Sequence, residues 1–91
     1  MIKVGFYNNN DFEVWTILET SSHLTKSLFA GIVNELFRKA CEGCEYNSVS
    51  AVVSTSTHHY VIDAITYVEG SSIFTNIFVN GTFLRRMTIA D

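Results

Sequence analysis

A single stretch of this chain, residues 22–42, has the apolar spacing of an amphipathic helix. Ser21 or Ser22 is placed to cap its first turn, and Gly43 follows its last turn as helix-terminating glycines do. The helix would be about 30 Å long, and Gly31 would allow it to approach the sheet closely. Its predicted apolar stripe contains Leu24, Leu28, Phe29, Ile32, Val33, Leu36, Phe37 and Ala40.

Strand-like alternation fills most of the remaining chain. The predicted strands lie at 2–7 and 12–18 before the helix, and at 47–54, 58–68, 73–79 and 82–89 after it. A chain of 91 residues with this order is predicted to form one domain, residues 1–91, of the α+β class. The expected architecture is an antiparallel sheet of about six strands, in the order ββαββββ, packed on one face by the single helix.

Turn residues set the expected pairing of the strands after the helix. Asn80-Gly81 is typical of a type I′ hairpin turn, which predicts three pairs: Val79 with Thr82, Phe78 with Phe83, and Ile77 with Leu84. Gly70-Ser71 suits a type II′ turn and predicts a pair of Tyr67 with Phe74. These turns therefore assign each side chain of the last three strands to one face of the sheet.

The turn before the helix is Asn8-Asn9-Asn10-Asp11, whose residue types tolerate tight turns. A three-residue loop would pair Phe6 with Phe12 and Val4 with Val14. We predict this register because a slip of one residue would move every side chain to the opposite face. It places the apolar residues of the first hairpin together on one face: Ile2, Val4, Phe6, Phe12, Val14 and Leu18.

Both faces of the sheet after the helix are apolar in these registers. The first face carries Val49, Ala51, Val53, Tyr60, Ile62, Ala64, Ile73, Ile77, Val79 and Leu84. The second face carries Val52, Val61, Ile65, Tyr67, Phe74, Phe78, Phe83, Met87 and Ile89. Antiparallel sheets commonly leave one face polar, and one helix can cover only one of these two. The other face is therefore predicted to join copies of the chain into a homodimer or higher oligomer, or to bind another protein.

Three polar residues are predicted to share the second face with the aromatic side chains: Asp63, Asn76 and Arg85. In the predicted register Asn76 lies opposite Arg85, and Asp63 lies beside Phe78. A charge among aromatic rings is costly unless it is paired. The group is interpreted either as a polar patch within an interface or ligand pocket, or as an internal pair on a half-hydrated face.

Five further residues are candidates for ligand binding or interface contacts. Tyr67 and Phe78 belong to the second face, and Trp15 is predicted to point away from the apolar face of the first hairpin. Trp is common among residues that dominate binding energy, although packing beneath a loop accounts for Trp15 equally well. His58 and His59 follow four hydroxyl residues and could line a pocket for an anion or nucleotide. A solvated loop is the alternative explanation for them.

Cys41-Glu42-Gly43-Cys44 is a CxxC at the predicted C-terminus of the helix. The negative end of the helix dipole raises a thiol pKa there, whereas a redox pair needs a low one. A zinc site would need two more ligands, and the adjacent histidines point to opposite faces. We therefore predict no metal and no cofactor. No arrangement of a nucleophile, a base and a supporting acid emerges, so the chain is not expected to be an enzyme.

The net charge of −3, from nine acidic and six basic residues, argues against binding to nucleic acids, where phosphate contacts dominate affinity. No apolar run approaches the ~18 residues of a membrane span. The first residues lack the apolar segment of a secretory signal. We therefore expect a cytoplasmic protein that does not contact membranes.

These features predict a small soluble binding protein, an inhibitor or adaptor, that acts through an apolar sheet face. The absence of proline and the abundance of Asn, Ser and Thr are compatible with a viral or mobile-element gene. The alternative is a protein that binds or sequesters a small anionic ligand, such as a nucleotide. Its pockets would lie at subunit boundaries, with His58, His59 or Arg85 contacting the ligand.

Overall fold

Six strands and one helix lie within residues 2–8, 13–20, 24–42 and 48–88, the part of the chain that this computed structural model describes. The side chains of residues 13–20 and of Glu42 are outside that description. In chain order the elements are β1 (Ile2–Asn8), β2 (Glu13–Thr20), α1 (Lys26–Glu42), β3 (Ser48–Ser54), β4 (His59–Glu69), β5 (Ser72–Val79) and β6 (Thr82–Thr88). The strands form one antiparallel sheet in the order β2-β1-β3-β4-β5-β6, and α1 packs across β3, β4 and β5. The α+β class, with an antiparallel sheet and one packed helix, is confirmed.

The core lies between α1 and the sheet, and the period of each element determines which residues enter it. Ile32, Val33, Leu36 and Ala40 are buried, as three- and four-residue spacing on one helix face requires. Alternate strand residues are buried against them: Ile2, Val4, Phe6, Val49, Ala51, Val53, Ile62, Ala64 and Ile77. The helix therefore covers the first face predicted for the sheet.

The helix begins later than the sequence pattern predicts. α1 starts at Lys26, and Thr25 is its N-cap because Thr25 Oγ1 accepts a hydrogen bond from the Leu28 N–H at 3.1 Å. The predicted cap at Ser21 or Ser22, residues outside the described part, is therefore wrong. With 17 residues, α1 is about 25 Å long. The described residues contain no helix with the length and apolar character that a membrane crossing needs.

The first hairpin is antiparallel as predicted, but its predicted register is wrong. Apolar matching favoured Phe6 opposite Phe12, yet the observed pairs place Val4 with Leu18 and Phe6 with Thr16. The connecting loop, residues 9–12, lies outside the described residues, and a bulge between Phe6 and Tyr7 shifts the pairing once more. Several offsets bring apolar residues together in two strands this apolar, so apolar matching alone did not select the register.

The two turns that join the last three strands have the predicted conformations. Asn80 and Gly81 have φ of 49° and 82°, and a type I′ turn requires positive φ at both central residues. Gly70 has φ of 62° at the first central position of its turn, as in type II′. The Asn80 Oδ1 also accepts a hydrogen bond of 2.8 Å from the Val61 N–H, which ties the turn to β4. The confirmed pairs are Tyr67 with Phe74, Phe78 with Phe83, and Val79 with Thr82.

A β-bulge in the last hairpin overturns the predicted pair of Ile77 with Leu84. The ladder shifts there, so that Ile77 lies opposite Arg85 and Leu84 becomes the extra residue. Residues beyond the bulge consequently change face relative to the prediction. Met87, predicted on the second face, packs against the core on the helix side.

Gly31 and Gly81 differ in backbone conformation but share open surroundings. A Cβ added at either position meets no atom within 4 Å. Gly31 is exposed on α1, so the predicted close approach of the helix to the sheet at this residue is wrong. Because neither substitution creates a clash, the two glycines form a matched pair in which backbone conformation alone determines the effect of alanine.

Gly81→Ala is expected to lower the free energy of unfolding by about 1–2 kcal/mol, since left-handed backbone is unfavourable for residues with a Cβ. Gly31→Ala is expected to raise it by up to about 1 kcal/mol, because alanine is the better helix former. Urea denaturation of the two variants measures both effects. An unchanged midpoint for Gly81→Ala would contradict the type I′ turn.

Candidate functional site

The open face is the side of β3 to β6 opposite α1. Residues paired directly across an antiparallel sheet share a face, so the observed registers define its members. Its central members are Val52, Val61, Asp63, Ile65, Tyr67, Phe74, Asn76, Phe78, Phe83 and Arg86. The same registers place polar residues around them: Ser48, Ser50, Ser54, His59, Glu69, Ser72 and Thr88. The central members are apolar or aromatic except Asp63, Asn76 and Arg86. The open face is therefore the second face of the sequence analysis, altered beyond the bulge in β6.

Large apolar side chains of the open face are in contact with solvent. Val61 is 39% exposed, Ile65 42% and Phe83 54%. Within the described part of the chain, no element packs on this side of the sheet. Four strands give the patch a width of about 19 Å, and monomeric proteins rarely expose a contiguous apolar patch of a few hundred square ångströms or more. The open face is thus the outstanding candidate for a binding surface.

Two aromatic pairs lie on the open face. The rings of Phe78 and Phe83 meet edge to face with centroids 5.8 Å apart, and those of Tyr67 and Phe74 are tilted at 5.6 Å. Both arrangements are favourable for aromatic rings. The predicted candidates Tyr67 and Phe78 therefore belong to one patch, whereas the side chain of Trp15, in β2, lies outside the described residues.

Arg86 is held against the aromatic rings of the open face. Its Cζ atom lies 4.9 Å from the Phe74 ring centroid and 5.8 Å from that of Tyr67, within the range of cation–π attraction. Its Nε donates a hydrogen bond to Asn76 Oδ1 at 3.4 Å. These contacts place an exposed cation at a defined position on an apolar surface.

Asp63 provides the opposite charge on the same face. It is half-buried, and its Oδ1 accepts a hydrogen bond of 2.5 Å from Ser50 Oγ, directly across on β3. Among the described residues no Lys or Arg forms an ion pair with Asp63. The carboxylate is therefore positioned by Ser50 but not neutralised by a cation.

The structure brings Asp63 and Asn76 onto the open face but not Arg85. The bulge at Leu84 puts Arg85 opposite Ile77, on the helix side, and Arg86 opposite Asn76. The predicted pair of Asn76 with Arg85 is therefore wrong by one residue. Two adjacent arginines made either assignment possible, and the turn residues gave no signal of an extra residue in β6.

His58 and His59 lie at the start of β4, away from the aromatic pairs. The His59 Nδ1 is 3.0 Å from Ser54 Oγ. The His58 Nδ1 is 2.7 Å from Thr57 Oγ1, and its ring stacks on Tyr60 at a centroid distance of 6.0 Å. Both histidines are exposed, and their hydrogen bonds are local to the loop between β3 and β4.

Arg85 and the two histidines lie far apart within one chain. Arg85 pairs with Ile77, which in turn pairs with Ala64 of β4. Ala64 is five residues from His59, which is about 17 Å along the strand. Among the described residues, no group of three or more His, Cys, Asp or Glu side chains is placed to hold a metal ion. The histidines and Arg85 therefore do not meet within a single chain, and a ligand pocket at a subunit boundary stays a prediction.

Cys41 lies beside a pair of buried threonines that the sequence analysis did not identify. Thr66 and Thr75 are fully buried and share a hydrogen bond of 2.9 Å between their Oγ1 atoms. The Cys41 Sγ lies 4.0 Å from Thr75 Oγ1. Burial raises the pKa of the Cys41 thiol, against a smaller opposing effect of the Thr75 hydroxyl. A raised pKa disfavours the reactive thiolate; Cys44 lies outside the described residues.

Neither models of known protein families, nor curated proteins, nor solved structures yield a match for this chain.

Proposed function

We propose that this chain is a non-enzymatic binding protein, of the inhibitor or adaptor type, that acts through the open face and associates there with a second copy of itself. The observation that carries the proposal is the exposure of Val61, Ile65 and Phe83 within a regular sheet. Complete burial of a side chain of this size contributes about 1.5–3 kcal/mol. Covering the open face is therefore favourable, and protein binding achieves it.

The size of the open face supports a dimer. Strands of seven to eleven residues give the patch a length of roughly 25 Å, and four strands give it a width of about 19 Å. The projected area is roughly 500 Å², and the accessible surface of protruding side chains is larger; stable interfaces bury about 800 Å² per partner. A two-fold dimer presents the same patch on both copies, so a second copy supplies a matching apolar surface.

The polar groups of the open face support a binding role. Asp63 is bonded to Ser50, and Arg86 is bonded to Asn76 and packed on aromatic rings. These contacts orient the charged groups within a flat surface, where they can direct the register of an interface. A proton-transfer site would instead bring such groups together around a reacting atom.

Native mass spectrometry of the protein purified from its own host tests the proposal. At micromolar concentration the expected species has twice the 10.2 kDa mass of one chain. A single chain with nothing bound would contradict the proposal. A stable complex with a different protein would replace the second copy as the occupant, and a retained small anion would favour the ligand-binding alternative.

A further inference from the structure

Asp63 and Arg86 are the acid and the base that lie among the apolar residues of the open face, whereas Glu69, the other acid on this side, lies at the end of β4. Asp63 lies on β4 and Arg86 on β6, with β5 between them. Both are embedded among side chains that a partner would cover, namely those of Ile65, Phe78 and Phe83. Covering either charge without a counter-charge would remove much of the gain from apolar burial. A partner that fits the open face must therefore supply a cation above Asp63 and an anion above Arg86.

Both charged groups are already oriented. Ser50 fixes Asp63, and Asn76 fixes Arg86 while Phe74 lies beneath its guanidinium. Neither charged group has an oppositely charged partner among the described residues. Little side-chain freedom is consequently lost when a counter-charge arrives, which favours association.

A second copy supplies both counter-charges in the required places. Asp63 pairs with Phe78 of β5, and Arg86 pairs with Asn76, two residues before Phe78. Asp63 and Arg86 are therefore separated by about 10 Å across the sheet and about 7 Å along the strands. Consider a two-fold axis that lies midway between two facing sheets, directly above the midpoint of the Asp63–Arg86 line and perpendicular to that line. Such an axis places each Asp63 against the Arg86 of the other copy.

We infer that the homodimer is formed face to face through the open face and is held in register by two reciprocal Asp63–Arg86 ion pairs across its two-fold axis. The inference rests on the proposed function, which requires the open face to be covered by a second copy. It adds the orientation of the two sheets and identifies the residues that reject other orientations. Apolar contacts supply most of the affinity, and the ion pairs select one register.

Charge exchange between two variants tests the reciprocal pairs. Asp63→Lys and Arg86→Glu, examined separately by sedimentation equilibrium, are each expected to weaken self-association by roughly 100-fold, because each places like charges together twice per dimer. An equimolar mixture of the two is expected to associate within about tenfold of the wild type, since both pairs in the mixed dimer again join opposite charges. The double variant Asp63→Lys/Arg86→Glu is expected to recover in the same way.

A milder combination keeps the test decisive if Asp63→Lys does not fold. Adding Asp63→Asn to Arg86→Glu removes the like-charge contact and is expected to recover more than half of the lost association free energy. If self-association is restored in none of the three cases (the mixture, the double variant and this combination), the reciprocal ion pairs are wrong. A wild-type chain that still dimerises then continues to support the proposed function. A wild-type chain that stays monomeric overturns the proposed function itself.

Discussion

Leu36→Ala is expected to lower the free energy of unfolding by about 3–5 kcal/mol, the largest stability effect among the substitutions considered. Leu36 is among the largest fully buried side chains of the described residues, and it lies on the helix that packs across β3, β4 and β5. Its truncation removes apolar contacts and leaves a cavity that a rigid sheet cannot fill. Domains of this size are stable by only about 5–15 kcal/mol, so the variant is expected to be partly unfolded at 37 °C.

Leu84→Ala provides the matched control for Leu36→Ala. Leu84 is the extra residue of the bulge and is 45% exposed, so the same chemical change is expected to cost less than about 1 kcal/mol. Urea denaturation at one fixed protein concentration compares the two, because dimerisation makes the midpoint depend on concentration. Equal midpoints for both variants would contradict the placement of Leu36 in the core.

Ile65→Lys is expected to weaken self-association by at least about 100-fold, which corresponds to roughly 3 kcal/mol. The substitution removes apolar burial from the centre of the open face and would trap an ammonium group in the interface twice per dimer. The isolated chain is expected to tolerate it at a cost of about 1 kcal/mol or less, since Ile65 is well exposed in the single chain. Sedimentation equilibrium measures the association, and circular dichroism checks the fold.

Asn34→Lys is the control for the change of charge. Asn34 is exposed on α1, away from the open face, and the substitution adds the same single positive charge. Self-association is expected to stay within about threefold of the wild type, because exposed charges far from an interface are screened by salt. If Ile65→Lys and Asn34→Lys behave alike, the open face is not the interface.

Local signals in the sequence correctly predicted the two turns of the last three strands and the pairs that adjoin them. Asn80-Gly81 and Gly70-Ser71 specify backbone conformations that few other residue pairs adopt, so they determined the pairs of Phe78 with Phe83 and of Tyr67 with Phe74. The first hairpin lacked such a signal. Its register was inferred from apolar matching, which several offsets satisfy, and the observed pairing differs.

The composition of the open face was predictable, whereas its cation was not. Alternation along β4 and β5 placed Asp63, Tyr67, Asn76 and Phe78 on one face, and the observed registers agree. The bulge in β6 then exchanged Arg85 for Arg86. One unpaired residue reverses every later assignment in a strand, and an edge strand has no second neighbour whose pairing would limit where that residue falls.

Intermolecular nuclear Overhauser effects in an equimolar mixture of isotope-labelled and unlabelled chains report which surfaces of two copies touch, and so decide whether the open face joins them. We expect contacts between the Ile65 methyl groups of one copy and the Phe78 or Phe83 rings of the other. We expect no intermolecular contacts to Asn34 on α1. Contacts confined to the helix surface, or no intermolecular contacts at millimolar concentration, would contradict the claim that the open face joins two copies of this chain.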